Sequence, residues 1–268
     1  MIPLADENPT RSKPVITITF IVLCVLIFLW QLSLGSGGRQ AILALGVIPA
    51  SLLQGATLPP ALRWVSPEMT LITSMFLHGG FMHLIGNMLY LWIFGDNVED
   101  SMGTLKFIIF YLLCGTIAAL CQGLVDPTSQ IPMVGASGAI AGVLGAYLML
   151  FPKANVKCLV FIIIIIQMIR VPAFLVLGFW LVLQFFSIPG SIDMDGGTAY
   201  FAHIGGFLAG MILIPFFKNK DIKLFHEQNT SSWQVFNRDS KEFSFQRNDD
   251  VVIDFIKKSE EEMKRRKH

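Results

Sequence analysis

The feature that most constrains this chain is the recurrence of long apolar stretches almost free of charge. Val15–Leu34 is the first, twenty residues broken only by Thr17, Thr19, Gln31 and Ser33. A helix of about 20 apolar residues spans the hydrocarbon of a bilayer. Leu71–Phe94, Leu105–Cys121, Val134–Phe151, Pro172–Phe186 and Ala199–Phe217 are also long enough, or nearly so. Backbone polar groups in hydrocarbon must be satisfied within the segment itself, which helices do. The expectation is an all-α membrane protein of six transmembrane helices. Only 15% of residues are charged, against roughly 25% in soluble domains. A net charge of +1 removes the electrostatic case for nucleic acid. Four Cys, none in a CxxC pair, specify neither a disulfide scaffold nor a zinc site.

Val15–Leu34 is too long for a signal h-region, and Ser33-Leu34-Gly35 makes a poor cleavage site, so it reads as a span. From Val156 to Phe186 the polar breaks before the crossing are Lys157, Gln167 and Arg170. Two crossings there would each be too short. One crossing is therefore expected, starting near Pro172, with Leu159–Ile166 at the cytoplasmic interface. Lys and Arg concentrate on cytoplasmic flanks. Arg11, Lys13, Lys106, Lys153, Lys157, Arg170, Lys218, Lys220 and Lys223 fall on one side, and only Arg39 and Arg63 on the other. Both ends are thus expected in the cytoplasm. The expected layout is a cytoplasmic N-terminus at 1–14, a membrane domain at 15–217 and a polar cytoplasmic tail at 218–268, with a short helix at Val251–Lys267. Residues 35–69 form the long outer loop, whose short apolar patches Ala41–Leu45 and Val47–Leu53 suit an interfacial element. There is no internal repeat of the kind many transporters carry.

Polar residues inside such spans are functional candidates. The second stretch holds His78-Gly79-Gly80-Phe81-Met82-His83, then Asn87, with His83 and Asn87 on one helix face. The fourth opens with Gly135-Ala136-Ser137-Gly138, and the sixth holds Ala202-His203-Ile204-Gly205-Gly206. Plainer readings exist for each. A lone membrane Ser commonly bonds its own backbone, and His78, His83 and His203 could be packing groups or metal ligands. Depth favours the sharper reading. At 1.5 Å per residue, His83 lies about 18 Å above Gly95, and Ser137 and His203 about 22 Å above Pro152 and Lys218. His203, Gly206 and Gly210 share one face, Ser137, Ala141 and Gly145 another, with Gly138 and Gly142 forming a GxxxG beside it. Small faces let helices approach closely, as a hydroxyl and an imidazole need to reach hydrogen-bond distance. Ser137 would then be a nucleophile with His203 as its base. His83, Asn87 and the Ser137 N–H would be donors for an oxyanion. Asp193 and Asp195 sit too high to orient His203, so a dyad is expected rather than a triad.

These residues, in this order and spacing, resemble the rhomboid family of intramembrane serine proteases over about residues 70–215. The resemblance implies Ser137 as nucleophile, His203 as base and His83 with Asn87 around the oxyanion. It implies structural roles for His78 and for Glu99, the latter in a loop after helix two spanning Gly95–Glu99 and Gly103. Gly135, Gly138, Gly206 and Gly210 are expected to be structural, and no cofactor or metal is expected. The expected substrates are transmembrane proteins, met in the lipid bilayer of a bacterial cytoplasmic membrane. Two positions depart from the family pattern. Ala141 stands where some members carry a Tyr beneath the catalytic His. Met69-Thr70 stands where many carry a Trp-Arg pair, while Arg63-Trp64 has the reverse order and comes too early. The non-proteolytic alternatives are a rhomboid-like protein that only binds transmembrane segments, and a small transporter with a histidine proton path.

Overall fold

A computed structural model describes residues 1–162, 165–192 and 199–226, all within the first of two units, Met1–Val235. Val251–Lys267 and Asp193 and Asp195 lie outside the described residues. The chain begins with β1 (Ile2–Asp6) and α1 (Val15–Ser33). The long loop carries α2 (Gly37–Leu45), α3 (Pro49–Gln54) and a 3-10 turn at Pro60–Leu62. After the short α4 (Thr70–Thr73) and a second 3-10 turn at Ser74–Phe76 come α5 (Phe81–Met102), α6 (Thr104–Val125) and α7 (Ser137–Leu150). Strands β2 (Asn155–Ile162) and β3 (Ile165–Pro172) precede α8 (Ala173–Ile192) and α9 (Tyr200–Phe217).

Each of the six apolar stretches carries one long helix. Among the described residues α1, α6 and α9 are long and apolar enough to cross a membrane, and α7 and residues 173–186 of α8 are shorter apolar helices. Only 28–33% of the residues in the three longest apolar windows are buried. Leu26, Leu105, Ile212 and Phe216 point outward, a surface suited to lipid and not to water. The chain is an integral membrane protein.

The fold is mostly helical but not all-α. β1, β2 and β3 form one antiparallel sheet in that order, pairing Ile2 with Leu159, and Asn155 through Ile162 with Pro172 through Ile165. The segment after α7 is rich in Val and Ile, which suit a pleated strand. It is too short to cross twice as helices, and a hairpin satisfies its backbone within itself. The N-terminal residues join that sheet rather than forming a tail. Glu7 ties the strands together, its Oε1 2.7 Å from Arg170 Nε and 3.4 Å from Lys157 Nζ.

The second stretch also departs from expectation. Its helix starts ten residues late, at Phe81, because Gly79-Gly80 disfavour helix. It then runs on through Asp96 and Glu99 to Met102, so Gly95–Glu99 is helical rather than a loop. The turn into α6 comes at Gly103, whose φ of +86° suits glycine. Glu99 is buried and caps α1, accepting from the Ile16 N–H, the Thr17 N–H and the Thr17 hydroxyl at 2.8–2.9 Å. Its charge sits at the positive end of the α1 dipole. Residues beyond α9 turn back onto the same end of the bundle. The Asn219 N–H donates to Ser101 O, and the Phe225 and His226 N–H groups to Met149 and Leu150 O.

Candidate active site

α7 and α9 approach through glycine. A Cβ on Gly206 would strike Gly138 O, one on Gly210 would strike Gly142 O, and one on Gly145 would strike Phe207 O. The approach thus runs through the GxxxG pair and Gly145, not along a face centred on Ala141. On its far side Gly138 faces Ala118 of α6, 2.6 Å from where its Cβ would stand. Any larger residue at these positions would push the two helix starts apart.

Those starts carry Ser137 and His203. Ser137 is the first residue of α7, where the backbone N–H groups are free and the helix dipole is positive. His203 lies one turn into α9. Its Nε2 is 2.8 Å from Ser137 Oγ. Gln122 of α6 fixes the entry to α9, its Oε1 accepting from the Phe201 and Ala202 N–H groups at 3.1 and 3.3 Å. The segment leading to Ser137 is pinned as well. Val47 and Met133 exchange backbone hydrogen bonds of 3.0 and 2.8 Å, the Ala50 N–H donates to Ser129 O, and the Gly135 N–H donates to Ser74 O at 2.9 Å. The long loop thereby holds the approach to the α7 start.

His83 and Asn87 come from the first turns of α5. Gly135, at φ +128°, lies flat against them. A Cβ there would stand 2.7 Å from His83 Nε2 and 3.6 Å from Asn87 Nδ2. At this position only glycine fits, through both conformation and contact. The Gly79 N–H points at His83 Nδ1 over 3.5 Å, which leaves Nε2 as the protonated nitrogen facing Gly135. Asn87 is 8% exposed, and its Nδ2 has no hydrogen-bond partner among the described residues. His78 lies in the extended residues before α5 rather than on the helix. Its backbone is clamped by the side chain of Gln31, which accepts from its N–H and donates to its C=O. Its ring packs edge-on to His83 at 5.3 Å.

Ser137, His203, His83 and Asn87 line one cavity of about 1330 Å³ among α5, α7, α8, α9 and residues 126–134. A hydroxyl with a neighbouring imidazole, and two side-chain donors opposite, can carry out nucleophilic attack on a carbonyl and stabilise the resulting oxyanion. Sequence reasoning misses three residues here: Gln184 and Trp180 of α8, and Gln122. Gln184 Oε1 is 2.7 Å from His203 Nδ1, and the Trp180 ring lies 5.8 Å from the imidazole. Trp180 and Gln184, with Tyr200 edge-on at 6.3 Å, surround the ring that Ala141 leaves without a Tyr. The available signal was composition: Gln184 is the one amide or charged residue in Ala173–Phe186, and such residues inside spans are rarely idle. Among the described residues no cluster of three or more His, Cys, Asp or Glu is arranged to hold a metal.

The comparisons with known proteins point to one family. The rhomboid domain family model matches residues 67–220. The chain is 36% identical over 140 residues to rhomboid protease GluP of Bacillus subtilis, covering 52% of this chain and 25% of that protein. It is 32% identical over 158 residues to rhomboid protein 1, mitochondrial, of Saccharomyces cerevisiae, covering 56% and 42%. It is 33% identical over 150 residues to RHOMBOID-like protein 5 of Arabidopsis thaliana, covering 53% and 42%. The matches thus span between a quarter and less than half of the length of these relatives.

Proposed function

The chain belongs to the rhomboid family, and from that premise we propose that it is an intramembrane serine endopeptidase working through a Ser137–His203 dyad. The observation that carries this reading is the 2.8 Å contact between Ser137 Oγ and His203 Nε2 inside a cavity wide enough for an extended peptide. Relatives whose names call them rhomboid proteases support it.

In the proposed cycle Ser137 Oγ attacks the scissile carbonyl carbon while His203 Nε2 takes its proton. The tetrahedral oxyanion accepts hydrogen bonds from Asn87 Nδ2, His83 Nε2–H and the Ser137 backbone N–H. Collapse breaks the C–N bond, and the amine leaves with the proton from His203. Water then attacks the acyl-enzyme by the same route, releasing the acid and restoring Ser137.

The proposed topology has six spans, a membrane domain at 15–217, and residues 1–14 and 218–268 on the cytoplasmic side. The proposed location is a bacterial cytoplasmic membrane. Peptide bonds within an intact helix are shielded, and opening a helix in hydrocarbon costs several kcal/mol per freed group. Transmembrane substrates with Gly or Pro near the end of their span should therefore be cut fastest. Replacing those residues with Leu should slow cleavage in bilayers, and an equal rate at the same bond would exclude unwinding as the selecting step. The direct test of the activity is labelling by a serine-directed fluorophosphonate in proteoliposomes together with cleavage of a panel of single-span proteins. Both should vanish in Ser137→Ala, and a Ser137→Ala protein that still cleaves would end the reading.

A further inference from the structure

His203 is held from both sides. Its Nε2 faces Ser137, and its Nδ1 lies 2.7 Å from Gln184 Oε1. The amide of Gln184 is itself oriented, because its Nε2 donates to Trp180 O at 3.1 Å. The oxygen is therefore the atom turned toward the imidazole. An amide oxygen only accepts, and a neutral imidazole has one N–H and one lone pair. The hydrogen bond thus requires the proton on Nδ1 and leaves the Nε2 lone pair aimed at the Ser137 hydroxyl. Gln184 is 8% exposed, so water competes weakly for either partner. Trp180, one turn earlier on α8, lies tilted 38° to the imidazole plane and restricts rotation of the ring.

We propose that Gln184 is a positioning residue that locks His203 in the Nδ1–H tautomer with Nε2 toward Ser137. Its effect on rate rests on the dyad reading above, whereas its hold on the ring does not. A neutral amide supplies orientation without countercharge, the part that Asn plays in Cys-His-Asn sites. One hydrogen bond of this kind corresponds to a loss of about 10- to 100-fold in kcat, with KM little changed.

The test uses the full-length protein with ¹⁵N-labelled histidine, the His203 signal assigned by its loss in His203→Ala. The wild-type protein should show His203 protonated on Nδ1. Gln184→Met, similar in length but without the amide, should shift the ring toward the Nε2–H form and lower kcat. Gln184→Glu keeps the acceptor and should restore both the Nδ1–H signature and most of kcat. A wild-type ring protonated on Nε2 overturns the proposal without any variant. So does a Gln184→Met protein that loses activity with an unchanged His203 signature, or one that keeps full kcat. If Ser137→Ala retains cleavage, the dyad reading falls, while the ¹⁵N signature still decides whether Gln184 holds the ring.

Discussion

At the end of the bundle that carries the sheet, Glu99 accepts three hydrogen bonds and Glu7 bridges two cations. At the other end, Asn87 Nδ2 has no partner among the described residues. Both ends are built from polar side chains on apolar helices, yet one is closed and the other open. At the sheet end the bonds of Glu99, Asp6 and Glu7 join segments far apart in the chain: α5 to α1, β1 to α5 and α7, and Glu7 to β2 and β3. Satisfied buried groups of this kind hold parts together. At the cavity end Asn87 and His83 face a space of about 1330 Å³. Donors left unsatisfied in the free protein are available to a charge that forms only during reaction. The comparison assigns stability to one end and chemistry to the other, and substitutions can separate the two.

The largest effect expected is on activity with none on stability. Ser137→Ala and His203→Ala should each lower cleavage by at least about 10³-fold, and the double variant should lose little more, because catalytic partners are not additive. The thermal midpoint in detergent should stay near that of the parent. A large drop in midpoint would mean that the cavity end also carries stability, and would break the division. Asn87→Ala should follow, with kcat down about 10- to 1,000-fold and KM nearly unchanged, the cost of one oxyanion donor. Weaker binding with unchanged kcat would instead make Asn87 a substrate contact.

Glu99→Ala should behave in the opposite way. It strands buried donors at the α1 start and should cost about 3 kcal/mol of stability, read as a fall in midpoint. The fraction that remains folded should label with fluorophosphonate at the parental rate. Slower labelling in that fraction would show that the two ends are coupled.

How far the sequence foretold this arrangement follows the same division. The six helices are legible because the length of an apolar run is a local property, and His83, Asn87, Ser137 and His203 are legible because their spacing within motifs is local too. The sheet is not. A short run of Val and Ile reads equally as a buried helix or a strand, and β1 finds its partner some 150 residues away, Ile2 on Leu159. The delayed start of α5 turns on a Gly-Gly pair inside an otherwise apolar stretch, where hydropathy alone sees continuity. Gln31, Gln122 and Gln184 are each isolated amides whose partners sit on other elements, His78, the α9 start and His203. Gln31 and Gln184 were visible within the spans and Gln122 lies one residue past one, but which groups they meet depends on tertiary packing.

The smallest expected effect probes Asp6, an acid at the closed end whose charge is poorly accommodated. Asp6 Oδ2 accepts from the Tyr147 hydroxyl at 2.6 Å and from Asn97 Nδ2 at 3.2 Å. Burial outweighs those bonds, and Asp96 nearby opposes a second negative charge, so the Asp6 carboxyl is pushed up from 3.8 to about 7. The folded protein therefore binds this proton more tightly than the unfolded chain does. The stability that Asp6 contributes is full below about pH 4 and is lost as pH rises through about 7. Asp6→Asn keeps an acceptor for the Tyr147 hydroxyl but cannot ionise. Midpoints of the two proteins should lie close together at pH 5 and separate by a few degrees at pH 8.5, with the Asn variant higher. Every other titratable group is common to both proteins and cancels in the difference. Parallel curves from pH 5 to 8.5 would mean that Asp6 is ionised throughout. The closed end would then satisfy the Asp6 carboxylate through its hydrogen bonds alone.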